Sequence, residues 1–254
     1  LSGLPEGELA LLEEAIRKLA LELGADKVGF ADLSAYEDEF GISRPLTARY
    51  PRAISIGVVL LDSVVETIGP GGPSPLYAHH YRQVNALLDR IALQVARFCA
   101  SKGFKALPIP ASMTVDEERQ LGHISHKAVA VLAGLGWLGK NLLVITPDRG
   151  PRVRFTTVLT DMPLRVGEPM KCMCGNCRAC IEACPAKALR DVRFGLKPRK
   201  REEVLDIRAC LGFLERFARD PRIGELICGI CVKVCPYGAQ TGNSSFTFSS
   251  CSST

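Results

Sequence analysis

The sequence lacks several features that would settle its class at once. No apolar run in its 254 residues approaches the ~20 residues a bilayer-spanning helix needs, so a membrane helix is not expected. The first residues carry no basic stretch followed by an apolar core, so no secretory leader is read there and the cytoplasm is the expected compartment. An excess of charge of one sign is also slight. A net +5 permits an acidic electron donor or a nucleic acid as partner and demands neither. There is one Trp, and the D-x-H-x-x-G motif of a corrinoid held through a lower-ligand His is absent.

Cysteine, by contrast, is abundant. Eleven Cys without a leader point to metal ligation in a reducing compartment rather than to disulfides. Cys174, Cys177, Cys180 and Cys184 read C-x2-C-x2-C-x3-C-P, and Cys228, Cys231 and Cys235 read C-x2-C-x3-C-P, with Cys210 alone between them. Eight thiolates suit two [4Fe–4S] clusters. In this spacing the fourth Cys of a run ligates the other cluster. The expected sets are therefore Cys174, Cys177, Cys180 and Cys235 for one, and Cys184, Cys210, Cys228 and Cys231 for the second. Zinc sites use paired knuckles with four ligands per ion and seldom this crossed run. The Pro after Cys184 and after Cys235 fixes φ and turns the chain away. Cys99 reads as a core thiol, Cys172 as a spare one, and Cys251 as no ligand.

Ahead of the cysteines, apolar periodicity predicts helices over 6–23, 81–101 and 126–132, and strands over 28–33, 53–61, 104–109, 142–145 and 153–159. The stretch 37–50 reads as polar and irregular, 69–75 as a Gly/Pro loop. Within the cysteine region, helices are expected over 186–191 and 202–218. Composition shifts near Gly167. The expected layout is an α+β chain: an α/β cofactor domain over 1–166, a double-cluster ferredoxin domain over 167–240, and a disordered Ser/Thr-rich tail over 241–254.

Three segments carry a resemblance. They are Ala133-Gly-Leu-Gly-Trp-Leu-Gly-Lys-Asn141, the run Thr157-Val-Leu-Thr-Asp-Met-Pro-Leu164, and the cysteine pattern. Together they resemble epoxyqueuosine reductase and its relatives, the reductive dehalogenases among them. The resemblance implies a nitroreductase-like N-terminal domain holding a base-off cobalamin, fed by the cluster domain, in a reductase acting on a small electrophile or a modified nucleoside. It implies a ferredoxin or flavodoxin as electron donor and allows tRNA as partner.

On the residues themselves, Gly134, Gly136 and Gly139 would let backbone approach a flat cofactor. Trp137 would offer it an apolar face, and Lys140 and Asn141 polar contacts. The alternative is that these glycines end a helix and Trp137 is core. For the proton, the candidates are Asp116, His123 with His126 beside it, and Tyr81 in a segment with His79 and His80. Asp116 reads equally well as the start of a solvated helix, and His123 as a packing residue. The run Lys197, Arg199, Lys200, Arg201 reads as a solvated face or a dock for an acidic donor. An eight-iron electron carrier and an FMN-dependent reductase are the rival readings to a cobalamin enzyme.

Overall fold

The computed structural model describes residues 5–34, 44–198 and 200–238. The segment 241–254 with Cys251, residues 37–43 of the irregular stretch, and Arg199 of the basic run lie outside the described residues. By contacts the chain divides into two units. One comprises Leu1–Val59, Arg82–Leu135 and Arg154–Met170, and the other comprises Leu60–Tyr81, Gly136–Val153 and Lys171–Thr254. The expected single cut at 166/167 is thus corrected. The last crossing falls four residues later, and two earlier segments also belong with the cysteines.

The first unit is built on a four-stranded sheet of order β1-β2-β6-β3. Its strands are β1 (Lys27–Asp32), β2 (Arg52–Val59), β3 (Ala106–Ile109) and β6 (Val153–Thr160). β1 and β2 run antiparallel with Lys27 opposite Gly57 and Asp32 opposite Arg52. β3 and β6 run antiparallel with Ala106 opposite Thr160 and Ile109 opposite Thr157. β2 is buried at six consecutive positions, as an apolar run covered on both faces should be. Helices α1 (Glu6–Glu22) and α5 (His126–Leu132) pack on β1. α1 stops at Gly24, whose φ of +102° suits a residue without Cβ. α5 begins at Ser125, whose hydroxyl accepts from the Ala128 N–H. Ala31, Ala53, Ile109, Ile124, Val129, Ala133 and Leu159 form the core between helix and sheet. Cys99 is fully buried, and burial pushes its thiol up to about 11, the state of an inert core thiol.

Two expectations fail here. The irregular stretch contains helix α2 (Arg44–Arg49). The long helix α4 runs over Pro75–Ser101 and so starts six residues earlier than its apolar stripe suggested. Ser74 Oγ accepts from the Tyr77 N–H at 3.0 Å, and Pro75 occupies the first turn, where its missing N–H costs nothing. His79, His80 and Tyr81 are therefore helical.

The second unit opens with α3 (Asp62–Val65) and the first turns of α4. It continues with a hairpin of β4 (Trp137–Leu138) and β5 (Val144–Ile145), in which Trp137 faces Ile145 and Leu138 faces Val144. Four short or moderate helices follow: α6 (Ala179–Glu182), α7 (Arg201–Val204), α8 (Ile207–Arg219) and α9 (Ile230–Lys233). The helices expected over 186–191 and 202–218 are corrected. Lys187 has φ +48° and Leu189 pairs as an isolated bridge with Leu205, so the first stretch is extended and the second is broken. Asp206 restarts the chain as α8 by accepting from the Ala209 N–H at 3.0 Å. Arg152, 4% exposed, ties the unit together through Asp62 and Glu66, each at 2.8 Å. No described helix is long and apolar enough to cross a membrane.

Candidate iron–sulfur site

The cysteines of the two runs lie within electrostatic reach of one another. Cys235 feels Cys174, Cys180 and Cys177, although it follows Cys231 in sequence. After burial itself, Cys231 feels Cys180 most, then Cys228, Cys184 and Cys210, and Cys228 feels Cys184. Cys184 is buried with Ala188 and Leu189, and Cys180, Cys210, Cys231 and Ala209 pack against them. Burial pushes Cys235 up to about 12 and Cys180 up to about 11, with neighbouring sulfurs adding to it. Apposed, desolvated thiols of this kind are poorly placed to ionise alone and well placed to be discharged by iron. Among the described residues no three Cys, His or acidic side chains converge on a single-ion site. The sulfurs of a four-iron cluster bind separate irons, so they have no need to converge on one point.

The Gly136–Asn141 run belongs to this second unit and serves the cysteine loops. Lys140, 2% exposed, reaches Asp191 Oδ1 at 2.7 Å and donates to the Cys177 carbonyl at 3.2 Å. Asn141 donates to the Cys231 carbonyl at 3.5 Å, while its own oxygen accepts from the Leu143 N–H at 3.1 Å. Trp137 is fully buried, with Tyr237 edge-on to it at 4.8 Å. The Tyr237 hydroxyl donates to the Met173 carbonyl at 3.1 Å. The Trp137 indole N–H makes no hydrogen bond of ordinary geometry, and the Cys174 sulfur is near enough to be stabilised by it. Cys172 hydrogen-bonds Cys174 and, with the Lys140 backbone N–H and that indole, draws the Cys174 thiol down to about 6 against its burial. The same interaction, with burial, pushes Cys172 up.

These residues fit a thiolate-ligated cluster. They do not fit the corrinoid face expected of them. Trp137 has no free face, and the polar ends of Lys140 and Asn141 are committed to the cysteine loops. The glycines are needed for close chain packing: a Cβ at Gly134 would lie 2.9 Å from the Glu168 carbonyl oxygen, and one at Gly139 2.8 Å from Ile145 Cγ1. At Gly136 it would strike the Ile145 carbonyl. Asp191 and Tyr237 were not legible as partners. An acid in a basic stretch and a Tyr after the last Cys-Pro are the only traces they leave.

The proton candidates stand elsewhere. Asp116 is half-buried in a turn closed by its backbone bridge to Leu121, and its Oδ1 accepts from the Arg119 N–H at 2.8 Å. The expected helix start there is thus a turn. His123 is exposed and Tyr81 half-buried on α4. His126 is excluded as a donor near neutral pH. Its Nε2–H donates to the Pro110 carbonyl at 2.9 Å, which leaves Nδ1 to accept from the Thr157 hydroxyl at 2.8 Å. Burial pushes its pKa down from 6.5 to about 4, the Pro110 bond opposing only in part. A His kept neutral when folded binds its proton in the unfolded chain first. Its contribution is therefore complete above about pH 6.5 and is lost as pH falls through about 4. At pH 5 the opening free energy of α5, read by hydrogen exchange corrected for the intrinsic rate, should be lower than at pH 7 by about 2 kcal/mol. His126→Asn should flatten that dependence.

Residues 173–238 match the family model of the 4Fe-4S double cluster binding domain. A mixed helix–strand chain with such a domain is an iron–sulfur protein of the double-cluster ferredoxin type. Within that class it is related to the epoxyqueuosine reductases. The epoxyqueuosine reductase of Bacillus cereus is 36% identical over 258 residues, which cover 89% of this chain and 64% of the relative. That of a Synechococcus species is 37% identical over 125 residues, 45% of this chain and 36% of the relative. The chain spans less than two-thirds of the length of these relatives. Among solved structures, the catabolic reductive dehalogenase NpRdhA in complex with 3-bromo-4-hydroxybenzoic acid aligns at TM-score 0.67 and 24% identity, over 89% of this chain and 31% of that one. An epoxyqueuosine reductase with a modified tRNA-Tyr stem loop aligns at TM-score 0.61 and 20% identity, over 93% of this chain and 68% of that one. These two share the fold.

Proposed function

We propose that the chain is a cobalamin-dependent iron–sulfur reductase. Cys174, Cys177, Cys180 and Cys235 hold one [4Fe–4S] cluster, and Cys184, Cys210, Cys228 and Cys231 hold the other. The observation that supports this reading is that Cys235 reaches back to the sulfurs of the first run, Cys174, Cys180 and Cys177. When bound, the clusters and the cobalamin supply one-electron transfer and a reducible cobalt. A solved reductive dehalogenase described in terms of B12-dependent dehalogenation shares the fold at TM-score 0.66, which supports a cobalamin here. The first unit, with α1 and α5 packed on its sheet, is read as the nitroreductase-like domain that seats it, through residues other than Trp137, Lys140 and Asn141. The second unit grips the clusters and keeps water from their buried ligands.

The substrate is a small electrophile or a modified nucleoside, with epoxyqueuosine in tRNA as the form the relatives suggest. The donor is a ferredoxin or flavodoxin, and the exposed Lys197 and Lys200 with Arg201 offer it positive charge. The proton that reduction requires comes from Asp116, His123 or Tyr81, which comparison of Asp116→Asn, His123→Gln and Tyr81→Phe in single turnover would assign.

One measurement separates this from its rivals. Anaerobically purified chain is assayed for iron and sulfide, then titrated with cobalamin and with FMN under ultraviolet–visible light. Two clusters and a base-off corrinoid band are expected. A bound yellow flavin would replace the reading with an FMN reductase, and uptake of neither with an electron carrier.

A further inference from the structure

The outer side of the first cysteine run carries a surface that cluster binding does not explain. Residues 171–203 hold nine Lys and Arg against four acids. Three of those acids are engaged. Arg178 meets Glu182 at 3.5 Å and shares Asp191 with Lys140, and Arg201 meets Glu202 at 3.4 Å. No acid falls between Asp191 and Glu202, and Arg193 and Lys197 in that interval are exposed, as is Lys171. Cations alone would read as a solvated face. Two apolar side chains make this face different: Met173 is 44% and Leu196 46% exposed. The Cys172 N–H donates to the Gly195 carbonyl at 2.9 Å, which draws their neighbours Met173 and Leu196 together, with Lys171, Arg193 and Lys197 beside them. The surface is held in shape. The Tyr237 hydroxyl takes the Met173 carbonyl at 3.1 Å, and Arg193 donates to the side-chain oxygen of Asn176. Cys174 and Cys177, on the same loop as Met173, are half-buried, whereas Cys184 and Cys235 are buried.

We infer that Lys171, Met173, Arg193, Leu196 and Lys197 form the docking surface for an acidic one-electron carrier protein, and that electrons enter the chain over the Cys174–Cys177 loop. The inference rests on the cluster reading proposed above. A cluster gripped by four thiolates is anionic, and an acidic carrier brings more negative charge toward it. A rim of cations at the point of approach offsets that repulsion and steers the encounter. The apolar pair then supplies the contact itself. Protein interfaces are enriched in Met and Arg and depleted in acids, with charge kept to the rim, and this face has that composition. A nucleic acid would use the cations, but it stacks on aromatic side chains, and the exposed pair here is aliphatic. A small footprint also suits a partner that must leave after each electron, since encounters of that kind bury little area.

The test is stopped-flow reduction of the full anaerobic chain with its clusters loaded. The reductants are an acidic flavodoxin, an acidic [2Fe–2S] ferredoxin and, separately, the methyl viologen radical, which is small and needs no docking surface. Lys171→Glu with Lys197→Glu is expected to slow reduction by the carriers at least about tenfold at low ionic strength and to flatten its salt dependence. Met173→Ser with Leu196→Ser is expected to slow it at low and high salt alike. Iron content and the viologen rate should hold in both variants. Arg219→Glu with Arg222→Glu, exposed cations on α8 and just beyond it, is the matched control and should keep the carrier rate of the wild type. Patch variants as fast as the wild type, or a control that loses as much as they do, would overturn the docking surface. So would a charge-reversed patch that keeps the carrier rate and loses binding to tRNA, which would make the face a nucleic-acid interface. Wild-type protein reduced by viologen and by neither carrier would overturn it too, whereas protein reduced by none of the three would overturn the cluster reading beneath it.

Discussion

Replacing Cys235 with Ser should abolish the cluster wrapped by Cys174, Cys177 and Cys180 while sparing the one gripped by its own sequence neighbours Cys228 and Cys231. Iron content should fall by about half, because the crossed run assigns one distant thiolate to each site. Cys184→Ser should remove the other cluster, even though Cys184 closes the first motif. Pairwise variants make the assignment strict. Cys235→Ser with Cys177→Ser should lose no more iron than either alone, since both empty one site. Cys235→Ser with Cys228→Ser should lose both clusters. Contacts shared within one site are non-additive and those in separate sites add, which is the logic of a mutant cycle. If Cys235→Ser and Cys231→Ser proved to empty the same site, the crosswise reading would fail. Mössbauer or paramagnetic resonance spectra of the residual cluster would show which one remains.

How far such a site can be read from sequence differs by element. Cysteine spacing is a direct record of chemistry, because a cluster's corners dictate how many residues separate its ligands. The supporting loop gives no such record. Gly136, Trp137 and Lys140 suggested an open cofactor face, since glycines beside an aromatic and a cation look the same whether the partner is a ligand or another stretch of chain. Only the positions of Ile145, Asp191 and Cys177 decide between the two, and those lie 9, 51 and 37 residues away from their respective partners Gly136, Lys140 and Lys140. The helices were legible where apolar periodicity ran long, as in α1 and α5. They failed where a local signal competed. The Ser74–Pro75 start of α4 precedes any stripe, and the extended pairing of Leu189 with Leu205 interrupts two stretches of good helix formers. The packing of Leu205, Ala209 and Cys210 against Cys184, Ala188 and Leu189 outweighs propensity there.

The second large effect concerns Gly136. It begins the tight hairpin in which Trp137 pairs with Ile145. A Cβ at this position would meet the Ile145 carbonyl oxygen, with the Ile145 carbonyl carbon at 2.9 Å and Thr146 Cα at 3.1 Å. Every one of these atoms is backbone, so no side chain can swing aside. Gly136→Ala should therefore open the hairpin, at a cost on the order of 3 kcal/mol or more. With it go the anchors that Trp137, Lys140 and Asn141 supply to the cysteine loops. The expected result is a lower denaturation midpoint together with loss of iron on gel filtration. Gly212→Ala is the matched control. Gly212 lies on α8 with nothing within 4 Å of a new Cβ, so this variant should retain its iron and gain roughly 0.5–1 kcal/mol from helix propensity. Equal iron retention by the two variants would show that the hairpin does not support the clusters.

The way the chain threads back and forth between its two units bears on how such a protein could be taken apart. A construction that cuts once, ahead of the first cysteine run, would yield a miniature ferredoxin missing its own back wall: Arg152 and its carboxylates, the indole, and the buried ammonium all come from earlier in the sequence. Such a fragment could be grafted, swapped or inherited only together with the interior of its host. The unit that carries the cluster cysteines is thus assembled from three separate stretches of chain.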